Sequence, residues 1–212
     1  PILSFREIMD KGRVLILDLG RADAETRRLL GSLMVVGLEQ AALSRADIPA
    51  QHRKPFYLIL DEFQDYCLGE GSDQTLSHLL SECRKFGLHL ILAHQSHSQL
   101  SPALHGALEN AQLRVVFGVG RGTAQAVGAE MFRAALDEGK STLAEQWEAF
   151  YQRAQGLGQR QILVQLPEQG GIKSLRTHAV PEAEITAKEL EALKRKLLSR
   201  WGQPVAAMRR EL

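Results

Sequence analysis

The stretch that decides the fold class is Phe56-Tyr57-Leu58-Ile59-Leu60-Asp61-Glu62, five consecutive apolar residues closed by two acids. An apolar run of this length without polar alternation fits a strand buried on both faces, as in a parallel sheet covered by helices. Three further runs have the same character: Arg13 to Leu19 (RVLILDL), Leu88 to Ala93 (LHLILA) and Leu113 to Val119 (LRVVFGV). Each is followed by residues with helical periodicity, so the expected class is α/β with a mostly parallel sheet.

The helices between the runs are legible. Ala24 to Arg45 carries a wide apolar stripe through Leu29, Leu30, Leu33, Met34, Val36, Leu38 and Leu43, suited to packing on a sheet. Thr75 to Phe86 puts Leu76, Leu79, Leu80 and Cys83 on one face and stops at Gly87, a common helix terminator. Thr123 can cap a helix reaching to about Leu136. Beyond it, Ser141 to Ala154 reads as helix, and Arg160 to Leu166 with Ile172 to Val180 as a strand pair around Gly170-Gly171. Thr186-Ala187-Lys188-Glu189 is a capping box opening a charged helix to about Arg200. This organisation divides the chain into a core over 1–138, a helix and terminal strand pair over 139–182, and a charged helix with tail over 183–212.

With 212 residues, 44% hydrophobic and 24% charged, the composition is that of a globular chain with one substantial core and room for an appendage. A net charge of +1 removes the strong basic excess of many nucleic-acid binders, so any phosphate contact must come from local patches such as Gln51-His52-Arg53-Lys54 or Arg27-Arg28. Cys67 and Cys83 lack the paired spacing of a structural zinc site. No apolar stretch approaches the roughly 20 residues of a membrane span, and the expected location is the cytoplasm, including the cytoplasmic face of the inner membrane.

The acids closing the Phe56 strand carry the chemistry. Ligands of open α/β sheets bind at the carboxyl ends of the strands. There Asp61 can hold a Mg²⁺ ion or its water while Glu62 polarises an attacking water, the arrangement of a Walker B element; by itself the pattern also fits a strand ending in a solvated acidic turn. The next strand ends in His94-Gln95-Ser96 at the same edge. Neighbouring strands lie about 4.8 Å apart, so Gln95 is expected near Asp61 and Glu62, where a neutral amide can bond a γ-phosphate or the attacking water, or simply cap a strand end. Arg84 falls near the end of the helix that runs back from this edge, about 15 Å away. At that distance it misses its own nucleotide and can reach a neighbour's in a ring, unless it is only a surface arginine beside Lys85. Arg121, in the glycine-rich turn Gly118-Val119-Gly120-Arg121-Gly122, is a candidate for nucleotide or a subunit boundary. His94, His97 and His105 lack a carboxylate or thiolate at ligand spacing and read as polar edge residues rather than metal ligands.

Taken together, ILDLG, RKPFYLILDEFQDY, LLSECRKFGLHLILAHQSHSQL and ALENAQLRVVFGVG resemble the RecA-like DNA-pumping ATPases of the HerA and FtsK type, and within them the conjugative coupling ATPases of type IV secretion. The resemblance spans about residues 1 to 135. It implies ATP and Mg²⁺ as cofactors, DNA as partner, a homo-oligomeric ring, a hexamer in that family's pattern, and a membrane-bound secretion protein as a further partner. It implies Asp61 and Glu62 as the Walker B pair, Gln95 as sensor and Arg84 as a finger acting on the neighbouring subunit. The chain departs from the family in carrying no G-x-x-x-x-G-K-[ST] loop. Gly139-Lys140-Ser141-Thr142 imitates only the end of one, with Ala134 where the first glycine belongs. The loop is therefore expected from a segment preceding this one in a longer polypeptide. Two alternatives stand beside this expectation: a degenerate module that mediates assembly or DNA docking without hydrolysis, and a motor that moves protein.

Overall fold

The computed structural model describes residues 3–66, 70–95, 100–131, 142–165 and 171–202. The short helix α1 (Phe5–Lys11) opens at Ser4, whose hydroxyl accepts from Glu7 N, and ends at Gly12 with φ +65°, the left-handed cap that glycine adopts without a β-carbon penalty. Asp23 caps the long helix α2 (Ala24–Ser44) by accepting from Thr26 N. Strand β1 (Phe56–Leu60) leads through a 3₁₀ turn at Phe63–Tyr66 into α3 (Glu70–Glu82), a second 3₁₀ turn at Cys83–Phe86, and strand β2 (Leu88–Leu92). Strand, helix, strand produces a parallel pair in register from Phe56 opposite Leu88 to Leu60 opposite Leu92. Helix α4 (Pro102–Leu108) follows, with Ser101 as its cap.

One face of the β1–β2 pair holds the first core. Phe56, Leu58, Leu60, Leu88, Leu90 and Leu92 pack with Val35, Leu38 and Ala42 of α2, Leu76 and Leu79 of α3, Cys83, Leu104 of α4, and Phe63. Burying each of the larger aliphatics contributes about 1.5–3 kcal/mol. The other face stays open: Tyr57 is 59% exposed, Ile59 67% and Ile91 49%. The apolar run at β1 therefore has two faces, of which the described residues cover one.

A second cluster follows. Strand β3 (Arg114–Val116), helix α5 (Arg121–Met131), helix α6 (Leu143–Gln155), strand β4 (Gln161–Gln165) and strand β5 (Ile172–Arg176) form an antiparallel sheet in the order β3-β4-β5 with the two helices. Val116, Ala124, Phe150, Tyr151, Ala154 and Leu163 are its buried residues. Helix α7 (Ala187–Trp201) closes the described chain with the expected capping box, formed by Thr186 and Glu189.

Two strand expectations are corrected. Arg13 to Leu19 forms no strand ladder among the described residues, and Val14 and Ile16 are more than four-fifths exposed. Strand propensity alone makes no strand; a run becomes one when another backbone takes up its N–H and C=O groups. The Leu113 run is a strand of three residues that pairs antiparallel with β4, not within the parallel pair. β3 and α5 thus pack with α6 and β4, across the division expected at residue 138. The helices predicted from Thr75 and Thr123 start earlier, at Glu70 and Arg121, and the first ends in a 3₁₀ turn. Cys67, Ser96, His97, Leu136, Gly139, Lys140 and Ser141, and the tail from residue 203, lie outside the described residues. No helix among the described residues is long and apolar enough to cross a membrane.

Candidate active site at the carboxyl edge of the parallel strands

The ladder between β1 and β2 continues past both strand ends, with Ala93 N donating to Leu60 O at 2.9 Å and Phe63 N donating to Ala93 O at 3.1 Å. These two bonds hold Asp61 and Glu62 against the residues that lead into Gln95. The acids and the amide predicted from sequence therefore share one edge of the sheet. Asp61 and Gln95 are exposed, Glu62 half-buried.

The turn that carries the acids is tightly built. Glu62 has φ +49°, a left-handed conformation that costs a non-glycine residue on the order of 1 kcal/mol and recurs at functional sites. The cost is met by Phe63, fully buried in the first core and edge-on to the His94 ring with centroids 5.4 Å apart. Gln64 donates from Nε2 to Glu62 Oε2 at 2.8 Å, fixing one carboxylate oxygen. Sequence reasoning did not single out Gln64, although it stands inside LDEFQ, two residues beyond the acid. Further along, Ser32 Oγ of α2 donates to Tyr66 O at 3.1 Å, and the ring of Tyr66 lies against Gly31.

Arg84 lies at the other edge. The 3₁₀ turn Cys83–Phe86 precedes β2, and Phe56 N at the start of β1 donates to Gly87 O at 2.8 Å. A strand of five residues at about 3.3 Å per residue separates this end from the acids by roughly 16 Å. Arg84 is exposed, and among the described residues its guanidinium has no hydrogen-bond or ion-pair partner. Arg121 belongs to the second cluster: it opens α5 and pairs with Glu148 of α6 at 3.2 Å, an arrangement the sequence did not foreshadow.

In each of the two basic patches one arginine turns to main-chain carbonyls. Arg53 is not available to phosphate, because its guanidinium bonds the carbonyls of Arg45, Ile48 and Lys85. Arg27 donates to Ala22 O at 3.3 Å. Among the described residues no group of three or more His, Cys, Asp or Glu side chains is arranged to hold a metal. An exposed single carboxylate at a strand end suits Mg²⁺, which keeps several waters and takes one or two carboxylates with substrate phosphates rather than an all-protein cage.

Comparison with known proteins accords with this geometry. The sequence profile of the type IV secretion-system coupling protein DNA-binding domain matches residues 2–115, more than half of the chain. No curated protein sequence gives a significant match. Among solved structures, the genome packaging NTPase B204 from Sulfolobus turreted icosahedral virus 2 in complex with sulfate superposes with a TM-score of 0.53 at 20% identity, covering 84% of this chain and 72% of that one. Its complex with AMPPCP gives 0.53 at 20% identity, over 84% and 73%. B204 from Sulfolobus turreted icosahedral virus, the DNA-packaging ATPase, gives 0.50 at 17% identity, over 84% and 73%. At these identities the likeness establishes a shared fold, the RecA-like packaging-ATPase fold.

Proposed function

The chain belongs to the type IV secretion-system coupling protein DNA-binding domain family, and on that premise we propose that its first core is the metal- and water-handling half of an ATP-hydrolysing motor that moves DNA. The observation that carries this reading is the convergence of Asp61, Glu62 and Gln95 at the carboxyl edge of two paired parallel strands, where folds of this class place their ligands.

In this reading Asp61 holds Mg²⁺ through its exposed carboxylate. The ion supplies neutralisation of the phosphate charge. Glu62 accepts a hydrogen bond from the attacking water and draws off its proton; the Gln64 amide, bound to one oxygen of Glu62, leaves the other to face the water. Gln95 donates its amide to the terminal phosphate or to the same water, so that the loss of the phosphate changes its partners. Arg84, a strand length away from its own acids, serves the nucleotide of an adjacent subunit, and the active form is a ring of copies, a hexamer on the family's pattern. Arg121 would have to leave Glu148 to meet a nucleotide. That exposed ion pair is weak enough to be exchanged.

The phosphate-binding loop is supplied from outside these 212 residues. Two features support this: no G-x-x-x-x-G-K-[ST] sequence is present, and β2 and β3 each have a side without a paired strand among the described residues. A further parallel strand carrying the loop would satisfy both.

The test is DNA-stimulated ATP hydrolysis by the chain joined to its phosphate-loop segment. Glu62→Gln should abolish turnover while leaving nucleotide binding intact, because the amide keeps the shape and loses the base. Undiminished turnover in that variant would refute the assignment, and hydrolysis indifferent to DNA would turn the reading toward a protein cargo.

A further inference from the structure

The 3₁₀ turn that carries Arg84 continues α3 directly for four residues and closes at Gly87, a short 3₁₀ ending of the kind common at helix termini. Two guanidinium groups bond successive carbonyls at its end. Arg45 donates from Nη1 to Phe86 O at 2.8 Å and from Nη2 to Lys54 O at 2.8 Å. Arg53 donates from one Nη to Lys85 O at 2.5 Å and from Nε to Ile48 O at 2.8 Å and Arg45 O at 3.1 Å. The Arg53 guanidinium also lies over the Phe86 ring, 5.2 Å from its centroid. Gly87 closes the turn with φ +79°, and a β-carbon there would press on Arg45 Nη1 and Lys54 O.

Arg45 is the largest fully buried side chain of the described chain. Its Nε lies 3.0 Å from Asp10 Oδ1 of α1, and Asp10 is in turn held by Arg6, which reaches Ser44 O and Asp47. Burying a guanidinium costs several kcal/mol before its partners repay it, and apolar residues of similar size often stabilise such a site better. Packing alone therefore does not explain the choice. What two planar guanidiniums achieve, and a methionine would not, is to fix the orientation of two consecutive peptide planes. These are the Lys85–Phe86 and Phe86–Gly87 planes, beginning one peptide beyond Arg84, whose own carbonyl accepts from Gly87 N at 3.0 Å; holding them holds the backbone on which the Arg84 side chain stands.

We propose that Arg45 and Arg53 are positioning residues for Arg84: they clamp the Lys85 and Phe86 carbonyls so that the Arg84 guanidinium is presented, pre-ordered, to the adjacent subunit. The inference rests on the reading of Arg84 as a finger acting in trans. Without the clamp the turn samples other shapes and the finger is competent only part of the time, which lowers turnover in proportion. Nucleotide affinity, set at the far edge of the sheet, stays as it was.

Steady-state ATPase kinetics of the complete, assembled polypeptide test the clamp. Arg84→Ala should lower kcat by about 10³-fold, in the range of other arginine fingers. Arg45→Lys and Arg53→Lys, which keep the charge but bond one carbonyl poorly, should each lower kcat by about tenfold with KM for ATP unchanged. In an Arg84→Ala background neither lysine substitution should lower kcat further, since there is no finger left to position. A loss of the same size in both backgrounds, or full kcat in the lysine variants while Arg84→Ala is crippled, would overturn the clamp and leave the finger standing. Full kcat in Arg84→Ala would overturn the finger itself and the clamp with it. If Arg45→Lys does not fold, Arg53→Lys, on a side chain that is only partly buried, decides the question alone.

Discussion

Gly31 sits in the interior of α2, buried, with the Tyr66 ring where its β-carbon would be: an added carbon would lie 3.1 Å from Tyr66 Cγ and overlap the ring edge. Replacing glycine by alanine inside a helix ordinarily stabilises it by about 1 kcal/mol. Here the added methyl must displace the ring, and overpacking of this kind costs about 1–3 kcal/mol. Gly31→Ala should therefore destabilise the protein by up to about 2 kcal/mol, the difference between those two effects. In a Tyr66→Ala background the obstruction is gone, and the same substitution should stabilise by about 1 kcal/mol. Urea unfolding of the four proteins, wild type, both single variants and the double variant, measures the reversal of sign directly. An equal gain from Gly31→Ala in both backgrounds would refute the claim that this contact seats the turn following Glu62 against α2.

Two further outcomes follow from the same structure. Phe63→Ala, which removes a fully buried ring next to the acids, should cost about 3–5 kcal/mol in urea unfolding; a loss below about 1 kcal/mol would mean that the ring does not anchor the turn. Burial, helped by the charges of Glu39 and Glu82, pushes the Cys83 thiol from its ordinary value of 9.0 to about 11. Between those values the unfolded chain loses this proton and the folded chain keeps it, so stability falls as pH rises from 9 toward 11. Melting temperatures across that range should decline more steeply for the wild type than for Cys83→Ala, and parallel declines would contradict the assignment.

Much of the candidate site was legible because its signals are short in sequence. The acids follow a strand-forming run directly, and Gln95 follows the next such run, so parallel pairing of two runs was enough to put them on one edge. Arg84 was placed away from that edge by the length of the helix before it. Gln64 was not legible: its bond to Glu62 depends on the left-handed backbone at Glu62, which nothing in LDEFQ announces. Arg45 and Arg53 were less legible still. Arg53 read as part of a basic surface patch, yet it points inward because carbonyls of Arg45, Ile48 and Lys85 converge on it.

The sequence by itself determined what depends on neighbours a few residues apart: helix periods, the capping box at Thr186, the stop at Gly87, and which strands end in polar groups. Those preferences act within a turn or two of chain, so they are written locally. Only the tertiary structure decided which apolar runs become strands and which of their faces is covered. The run from Arg13 to Leu19 holds as many apolar residues as β1 and joins no strand ladder among the described residues, while β3 turns to an antiparallel partner some fifty residues on. A strand exists only when a distant backbone accepts its hydrogen bonds, and a charge such as that of Arg45 is buried only where remote carbonyls and a carboxylate gather around it. Both conditions belong to the assembled chain.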